Sequence, residues 1–394
     1  MLQFTLSHLP QIEFGSGKID SLSSFIKHYG NHFLLVTGGS SWQSAPWWPA
    51  IKAQFQQNQL QYTQVTISGE PSPALIDQIV TEQKKTPFQC VVGIGGGSAL
   101  DTAKALAGLL KLEHSVMDFL EGVGPELAYP GSALPFIAVP TTAGTGSEAT
   151  KNAVLSQQGK AGFKKSFRDD TLMAKTAIID PDLLASCPAT IIAANGMDAL
   201  TQLIESYVSL RQNSICNTLG EAAIRHVRDS LIPLFESKGQ NSKAREKMAY
   251  GALVSGINLA QTGLGSVHGL ASPLGAFFPM PHGVVCGTLL AKATEVNLLA
   301  MQQREPQNPA LDAYKKVAQM LHGTHFPNHE VAFKALIKRL WLWTEKLDMP
   351  RLNTFGMQQS DIPQVVANSR GSSMLTNPIK LTDDEISSIL RSRL

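Results

Sequence analysis

Cys90-Val91-Val92-Gly93-Ile94-Gly95-Gly96-Gly97-Ser98-Ala99-Leu100-Asp101 decides the fold of this chain. Its first five residues form a continuous apolar run of strand length, and the glycines stop it abruptly. Leu100, Ala103, Leu106 and Leu110 then recur at helical spacing, so the segment reads strand, glycine-rich turn, helix. Glycine lets backbone approach a ligand closely, and a helix N-terminus offers free N–H groups and partial positive charge to a phosphate. The motif departs from G-x-G-x-x-G because Ser98 stands where the last glycine would be. A tight structural turn is the alternative reading, and Asp101 and Lys104 on the following helix either orient the loop or are solvated.

The same alternation surrounds this segment. Phe33–Thr37 ends in Gly38-Gly39-Ser40-Ser41, Tyr62–Ile67 precedes a helical pattern, and Phe136–Val139 stops at Pro140. Strands alternating with helices predict an α/β domain with a mostly parallel, Rossmann-like sheet. Beyond Asp180-Pro181-Asp182 strand-like runs become scarce, and 183–207, 222–235, 245–259 and 333–347 read as helices. We therefore expect an α/β domain over 1–180 and an all-α domain over 181–394. Such a division suits 394 residues, against a prior of roughly 150 per domain.

Thirty-three basic against 31 acidic residues, with no long run of either sign, remove the electrostatic case for nucleic acid or an anionic membrane as partner. Only 16% of residues are charged and 43% are hydrophobic, which excludes intrinsic disorder. Cys90, Cys187, Cys216 and Cys286 have no paired spacing, so a reducing, cytoplasmic setting is expected. The N-terminus does not read as a signal peptide. No stretch reads as the roughly 18 apolar residues that a membrane span needs.

Pro140-Thr141-Thr142-Ala143-Gly144-Thr145-Gly146-Ser147-Glu148 is a second hydroxyl- and glycine-rich loop just past a strand. Alone it is an ordinary polar loop; beside the first, it suggests one ligand lying across the carboxyl edge of the sheet. A third constellation is Asp198, Gln202, His268 and His282. Asp198 and Gln202 are four apart on a helix and share a face. One carboxylate and two imidazoles suffice for a metal with an open coordination position; by composition alone a lone histidine is more often a core or surface residue. His322, His325 and His329 look metal-like in LHGTHFPNH, but Gly323 and Pro327 make that stretch a solvated connection between helices.

At these residues the sequence resembles the iron-containing (group III) alcohol dehydrogenase family. The matching pieces are GGGSALDTAKA (95–105), VPTTAGTGSEAT (139–150), AIIDPDLL (177–184), GMDAL (196–200), the segments around His268 and His282, and NPIKLTDDEISSIL (377–390). The resemblance implies a dehydroquinate synthase-like superfamily fold: a nucleotide-binding domain, a helical domain, an active site in the cleft between them, and commonly a homodimer or larger assembly. It implies that Gly95, Gly96, Gly97 and Ser98 hold the pyrophosphate and that Asp101 lies near the nicotinamide amide or its ribose. Thr141, Thr142 and Thr145 would line the cofactor, and Lys164 would reach the nicotinamide ribose. Asp198, His268 and His282 would be metal ligands and carry catalysis.

Two positions depart from the family pattern. Gln202 replaces a ligand histidine, leaving an amide oxygen that binds Fe(II) or Zn(II) poorly, and Ser272 replaces a histidine near the substrate. Superfamily relatives such as glycerol dehydrogenase bind zinc with one Asp and two His, so either iron or zinc is implied. The expected activity is hydride transfer between nicotinamide and a small alcohol or aldehyde. The rivals are a metal-free maleylacetate-reductase-like enzyme, a dehydroquinate-synthase-like lyase and a non-catalytic nucleotide-binding protein. Gly38 stands where NAD-using relatives carry Asp, and Gly39 and Ser40 offer donors to a 2′-phosphate, so NADP is expected ahead of NAD.

Overall fold

Apolar runs bounded by glycine and proline become strands, and asparagine, serine and threonine mark where many helices begin. A computed structural model describes residues 4–39 and 41–394. The chain divides into two compact units, one made of Ser7–Gln157 and Lys164–Cys187, the other of residues 4–6, Gln158–Phe163 and Pro188–Leu394.

The first unit runs β1 (Gln11–Phe14), α1 (Leu22–Tyr29), β2 (His32–Gly38), α2 (Trp48–Gln57), β3 (Gln61–Ile67), α3 (Pro73–Gln83), β4 (Cys90–Gly95), α4 (Gly97–Leu109), β5 (Phe136–Pro140), β6 (Asn152–Gln157), β7 (Phe163–Arg168) and β8 (Thr176–Ile179). Six strands form one sheet in the order β1-β8-β5-β4-β2-β3, with every pairing parallel, and β6 and β7 form a separate pair. Sequence reading finds β2, β3, β4 and β5 but not the four-residue β1 and β8. Every residue of β4 is buried, as expected of a central strand covered on both faces. Phe33, Leu35, Val92, Ile94 and Ile137 share one core with Ile26 of α1 and Trp48 and Phe55 of α2. On the other face α4 lies close: a Cβ added at Gly93 would meet Ala103 Cβ at 2.9 Å and Phe136 at 3.2 Å. From β2 the chain crosses to β3 on one side, and from β4 to β5 on the other. The ends of β2 and β4 thus flank the topological switch point, where open α/β sheets bind ligands.

The second unit is helical: α5 (Ala189–Val208), α6 (Ser214–Glu236), α7 (Ser242–Thr262), α8 (Ser266–Phe277), α9 (His282–Arg304), α10 (Ala310–His322), α11 (His329–Lys346) and the shorter α12 (Ile362–Ala367), α13 (Ser372–Leu375) and α14 (Asp383–Arg391). Asn213, Asn241 and Asn328 cap α6, α7 and α11 by accepting from backbone N–H groups three residues on, which fixes those helix starts. α5 starts later than expected: Pro181–Ser186 is a 3₁₀ turn and Pro188 precedes the first helical residue. α8, α9 and α10 are further helices, beyond those expected from sequence. α9 also corrects the expectation about membrane spans: it is long and apolar enough to cross one by length and composition. Its sides are mostly buried against α5, α8, α11 and α14, as befits a core helix.

Candidate metal centre and cofactor loops

Three helices of the second unit bring the metal candidates together. α5 carries Asp198 and Gln202 one turn apart, α8 carries His268 in its first turn, and α9 begins at His282. Asp198 is fully buried; its Oδ1 lies 3.2 Å from His268 Nε2 and 3.8 Å from His282 Nε2. Gln202 Nε2 donates to the same Oδ1 at 3.4 Å. Asp198 Oδ2 is buried and makes no hydrogen bond to any of the described residues.

Two further residues belong to this centre, and neither was expected from sequence. Cys286 lies one turn after His282 on α9, fully buried, with Sγ 3.6 Å from His268 Nε2 and 3.8 Å from His282 Nε2. One ligand atom each from Asp198, His268, His282 and Cys286 fall within 4.8 Å of one another. Glu205, seven residues after Asp198 on α5, accepts hydrogen bonds from His268 Nδ1 and from the Val267 N–H, each at 2.7 Å. Its partner on Nδ1 leaves Nε2 turned toward Asp198, an arrangement that fixes the tautomer of metal-binding histidines.

The start of α8 is itself pinned. Asn377 Oδ1 accepts from the Ser266 N–H at 3.0 Å, and Thr376 Oγ1 donates to the Leu264 carbonyl at 2.6 Å. A Cβ at Gly265 would come within 2.9 Å of Glu205 Oε1 and 2.8 Å of Asn377 Oδ1, so only glycine lets these groups close around the helix end.

The electrostatics fit a shared buried charge. Burial alone would raise the Asp198 carboxyl, but the imidazoles of His282 and His268 outweigh it and hold it down to about 2. For His268 burial works against protonation, yet Cys286, Asp198 and Glu205 together push it well above the usual imidazole range. Burial lifts the Cys286 thiol to about 12.

The cofactor candidates gather at the sheet's carboxyl edge in the first unit. The Thr141 N–H donates to the Gly95 carbonyl at 2.9 Å, strapping the loop after β5 to the loop after β4. Glycine is required where they touch: a Cβ at Gly97 would lie 2.9 Å from Thr145 Oγ1, one at Gly96 3.3 Å from Thr142 Oγ1, and one at Gly95 2.7 Å from Ala99 Cβ and 3.1 Å from Gly38 N. α4 has no side-chain cap at Gly96, which leaves the N–H groups of Gly97 and Ser98 on an uncapped first turn. Gly38 and Gly39 close β2 beside them, while Ser40 lies outside the described residues.

Asp101 faces inward. Its Oδ1 accepts from Ser147 Oγ at 2.5 Å and its Oδ2 from the Val154 N–H at 3.2 Å. Behind it Lys104, fully buried, donates to Ser147 O, Ser147 Oγ, Thr150 Oγ1 and Asn152 O at 2.7–3.1 Å. Of the two readings for this pair, orienting the loop and solvation, the structure gives the first. Lys164, on β7, is ion-paired with Glu70, which also accepts from Ser156 Oγ at 2.6 Å. The histidines of LHGTHFPNH serve the turn between α10 and α11: His322 Nε2 meets the Ala335 carbonyl at 3.1 Å and His329 pairs with Asp312 at 2.8 Å.

A parallel sheet with glycine- and threonine-rich loops at its switch point, followed by a helical unit carrying a buried carboxylate–imidazole cluster, defines a dehydrogenase-type architecture. The chain belongs to the iron-containing alcohol dehydrogenase family. The family's sequence pattern matches residues 10–181, and that of its C-terminal region matches residues 192–394. The chain is 29% identical to alcohol dehydrogenase 4 of Saccharomyces cerevisiae over 99% of both chains. It is 35% identical to long-chain-alcohol dehydrogenase 1 of Geobacillus thermodenitrificans over 72% of this chain and 70% of that one. The solved alcohol dehydrogenase of Oenococcus oeni superposes with a TM-score of 0.87 at 27% identity, covering the whole of both chains.

Proposed function

We propose that this chain is a nicotinamide-dependent alcohol dehydrogenase or aldehyde reductase, with Asp198, His268 and His282 holding a divalent ion. The observation that carries the reading is the convergence of two imidazole nitrogens on Asp198 Oδ1 while the buried Oδ2 has no hydrogen-bond partner. Carboxylate and imidazole are a donor set suited to zinc and to iron. When bound, such an ion supplies Lewis acidity, polarising a substrate oxygen and acidifying a bound hydroxyl. Zinc is at least on a par with iron because Gln202 is a weak fourth donor.

The chain's own residues orient and prepare this centre. Glu205 holds His268 by Nδ1, so Nε2 is the ring nitrogen that faces Asp198 and is left for an ion. Ser272, one turn beyond His268 on α8, has no basicity near neutral pH, so the alcohol proton leaves through water or the cofactor ribose. The family's histidine at that place offers a nearer base, and we therefore expect modest turnover here.

For the cofactor, the uncapped turn at Gly95, Gly96, Gly97 and Ser98 takes the pyrophosphate, and Thr141, Thr142 and Thr145 line the nicotinamide half. Asp101 acts nearby as the anchor of that loop, and Lys164 extends toward the nicotinamide ribose. Gly38, Gly39 and Ser40 bring no acid to the adenosine ribose, which favours NADP(H) over NAD(H). On this reading 1–180 is the dinucleotide domain and 181–394 the metal-binding one. The protein acts in the cytoplasm as a homodimer or larger assembly on a small alcohol or aldehyde. The test is metal analysis of the purified chain, then a panel of aliphatic and aromatic aldehydes with NADPH and NADH. Hydride transfer with neither cofactor across the panel would overturn the proposal.

A further inference from the structure

We infer that the Cys286 thiolate is the fourth ligand of the centre, taking over the place that Gln202 fills poorly and steering the site toward zinc rather than iron. The inference rests on the metal-centre reading above. Cys286 is buried on α9 one turn after His282, so any ion held by that histidine and by His268 has this sulfur beside it. The spacing matches a tetrahedral ion: ligand bonds of about 2.3 Å to sulfur and 2.0–2.1 Å to nitrogen put ligating S and N atoms about 3.6 Å apart, and N and O atoms about 3.3 Å apart. Here Sγ lies 3.6 and 3.8 Å from the two imidazole nitrogens, and Asp198 Oδ1 lies 3.2 and 3.8 Å from the same pair.

The buried Asp198 Oδ2, which makes no hydrogen bond to a described residue, is an independent sign that this pocket suits a cation. Metal binding exchanges the thiol proton for the metal–sulfur bond, the proton going to solvent. With Asp198 and Cys286 both anionic, the ligand set itself carries two negative charges, matching a dication. Thiolate is a soft donor that suits zinc, whereas an all-oxygen-and-nitrogen set discriminates less.

Zinc K-edge absorption of the full chain, stripped by chelator and reloaded with one equivalent of zinc, tests the assignment without a variant. A zinc–sulfur scattering path at about 2.3 Å is expected. Cobalt(II) in its place should show a thiolate-to-metal charge-transfer band in the near ultraviolet. Cys286→Ser, checked for an unchanged circular dichroism spectrum, should lose both signals and bind zinc at least tenfold more weakly. Stoichiometric zinc with only nitrogen and oxygen neighbours would overturn the ligand assignment and leave the metal-centre reading standing. A chain that takes up no ion would overturn both.

Discussion

Replacing Glu205 by Gln tests whether the hydrogen bond behind His268 sets the metal affinity. The substitution keeps volume and shape at a position only 4% exposed, but it turns an acceptor-only carboxylate into a group with one acceptor and one donor end. Glu205 now accepts two bonds, from the Val267 N–H and from His268 Nδ1, both at 2.7 Å. The backbone N–H cannot change its role, so the amide oxygen goes to Val267 and the amide nitrogen faces Nδ1. Two donors then oppose each other unless the imidazole moves its proton to Nε2, the atom 3.2 Å from Asp198 Oδ1. The lone pair that binds metal is lost in that tautomer.

Loss of such an outer partner typically weakens metal binding about 10- to 100-fold, or about 1.4–2.7 kcal/mol. Competition with a chromophoric chelator near neutral pH measures it, and thermal unfolding of the apo chains confirms an intact fold. Glu205→Asp should recover part of the affinity because it restores an acceptor. The same variant has a metal-free signature. Burial opposes protonation of His268, and Cys286, Asp198 and Glu205 overcome it. Removing the Glu205 charge must therefore let this imidazole lose its proton at lower pH, which NMR of the His268 ring reads directly. Zinc affinity within about threefold of the parent, with an unmoved His268 titration, would refute the reasoning.

Gly38→Asp should shift kcat/KM from NADPH towards NADH, since a Cβ there meets only Ala99 Cβ at an ordinary 3.7 Å and the new carboxylate repels a 2′-phosphate; a parent enzyme that already prefers NADH would contradict this. Lys104→Met should cost about 3–5 kcal/mol in urea unfolding, because Asp101 and a set of buried oxygens lose their cation; a loss under about 1 kcal/mol would show that the loop is held otherwise. Burial lifts Glu148 from 4.5 to about 7. Its folded pKa is the higher one, so its contribution to stability is full below about 4.5 and is lost as pH rises through 7. Glu148→Gln should thus match the parent near pH 4 and exceed its stability by up to roughly 3 kcal/mol near pH 8; parallel urea midpoints at both pH values would count against it.

The sheet was legible where burial writes itself into composition. β2, β4 and β5 are short apolar runs closed by glycine or proline, whereas β1 and β8 are too short to show a period. α8 and α9 escaped because both are apolar on nearly every side and α8 contains Pro273, so no amphipathic stripe marks them. That omission also hid Cys286. Once His282 is known to open a helix, a residue four further on must share its face. Glu205 repeats the lesson at two turns from Asp198 on α5. Its partner His268 lies 63 residues away, and only folding brings that pair together.

Asp101 and Asp198 show why a buried carboxylate alone does not mark a site. Both are on helices; Asp198 is fully buried and the Asp101 side chain is 14% exposed. Asp101 has both oxygens engaged, by Ser147 and by Val154, with Lys104 at 3.7 Å. Its burial still outweighs those partners and lifts it above the usual carboxylate range. Its bond from Ser147 ties it to the loop that carries Thr141, Thr142 and Thr145. Asp198 is held low, one of its oxygens has no partner, and the other faces nitrogen atoms from two different helices. Glu205 adds a second carboxylate to the same pocket. Such an excess of buried negative charge is costly in an interior of low dielectric unless protons or a cation neutralise it. In the metal-free chain Cys286, Asp198 and Glu205 favour a proton on His268 against the effect of its burial. A dication does the same work for both carboxylates at once and releases that proton, so metal affinity should rise with pH through the range in which His268 would otherwise hold it.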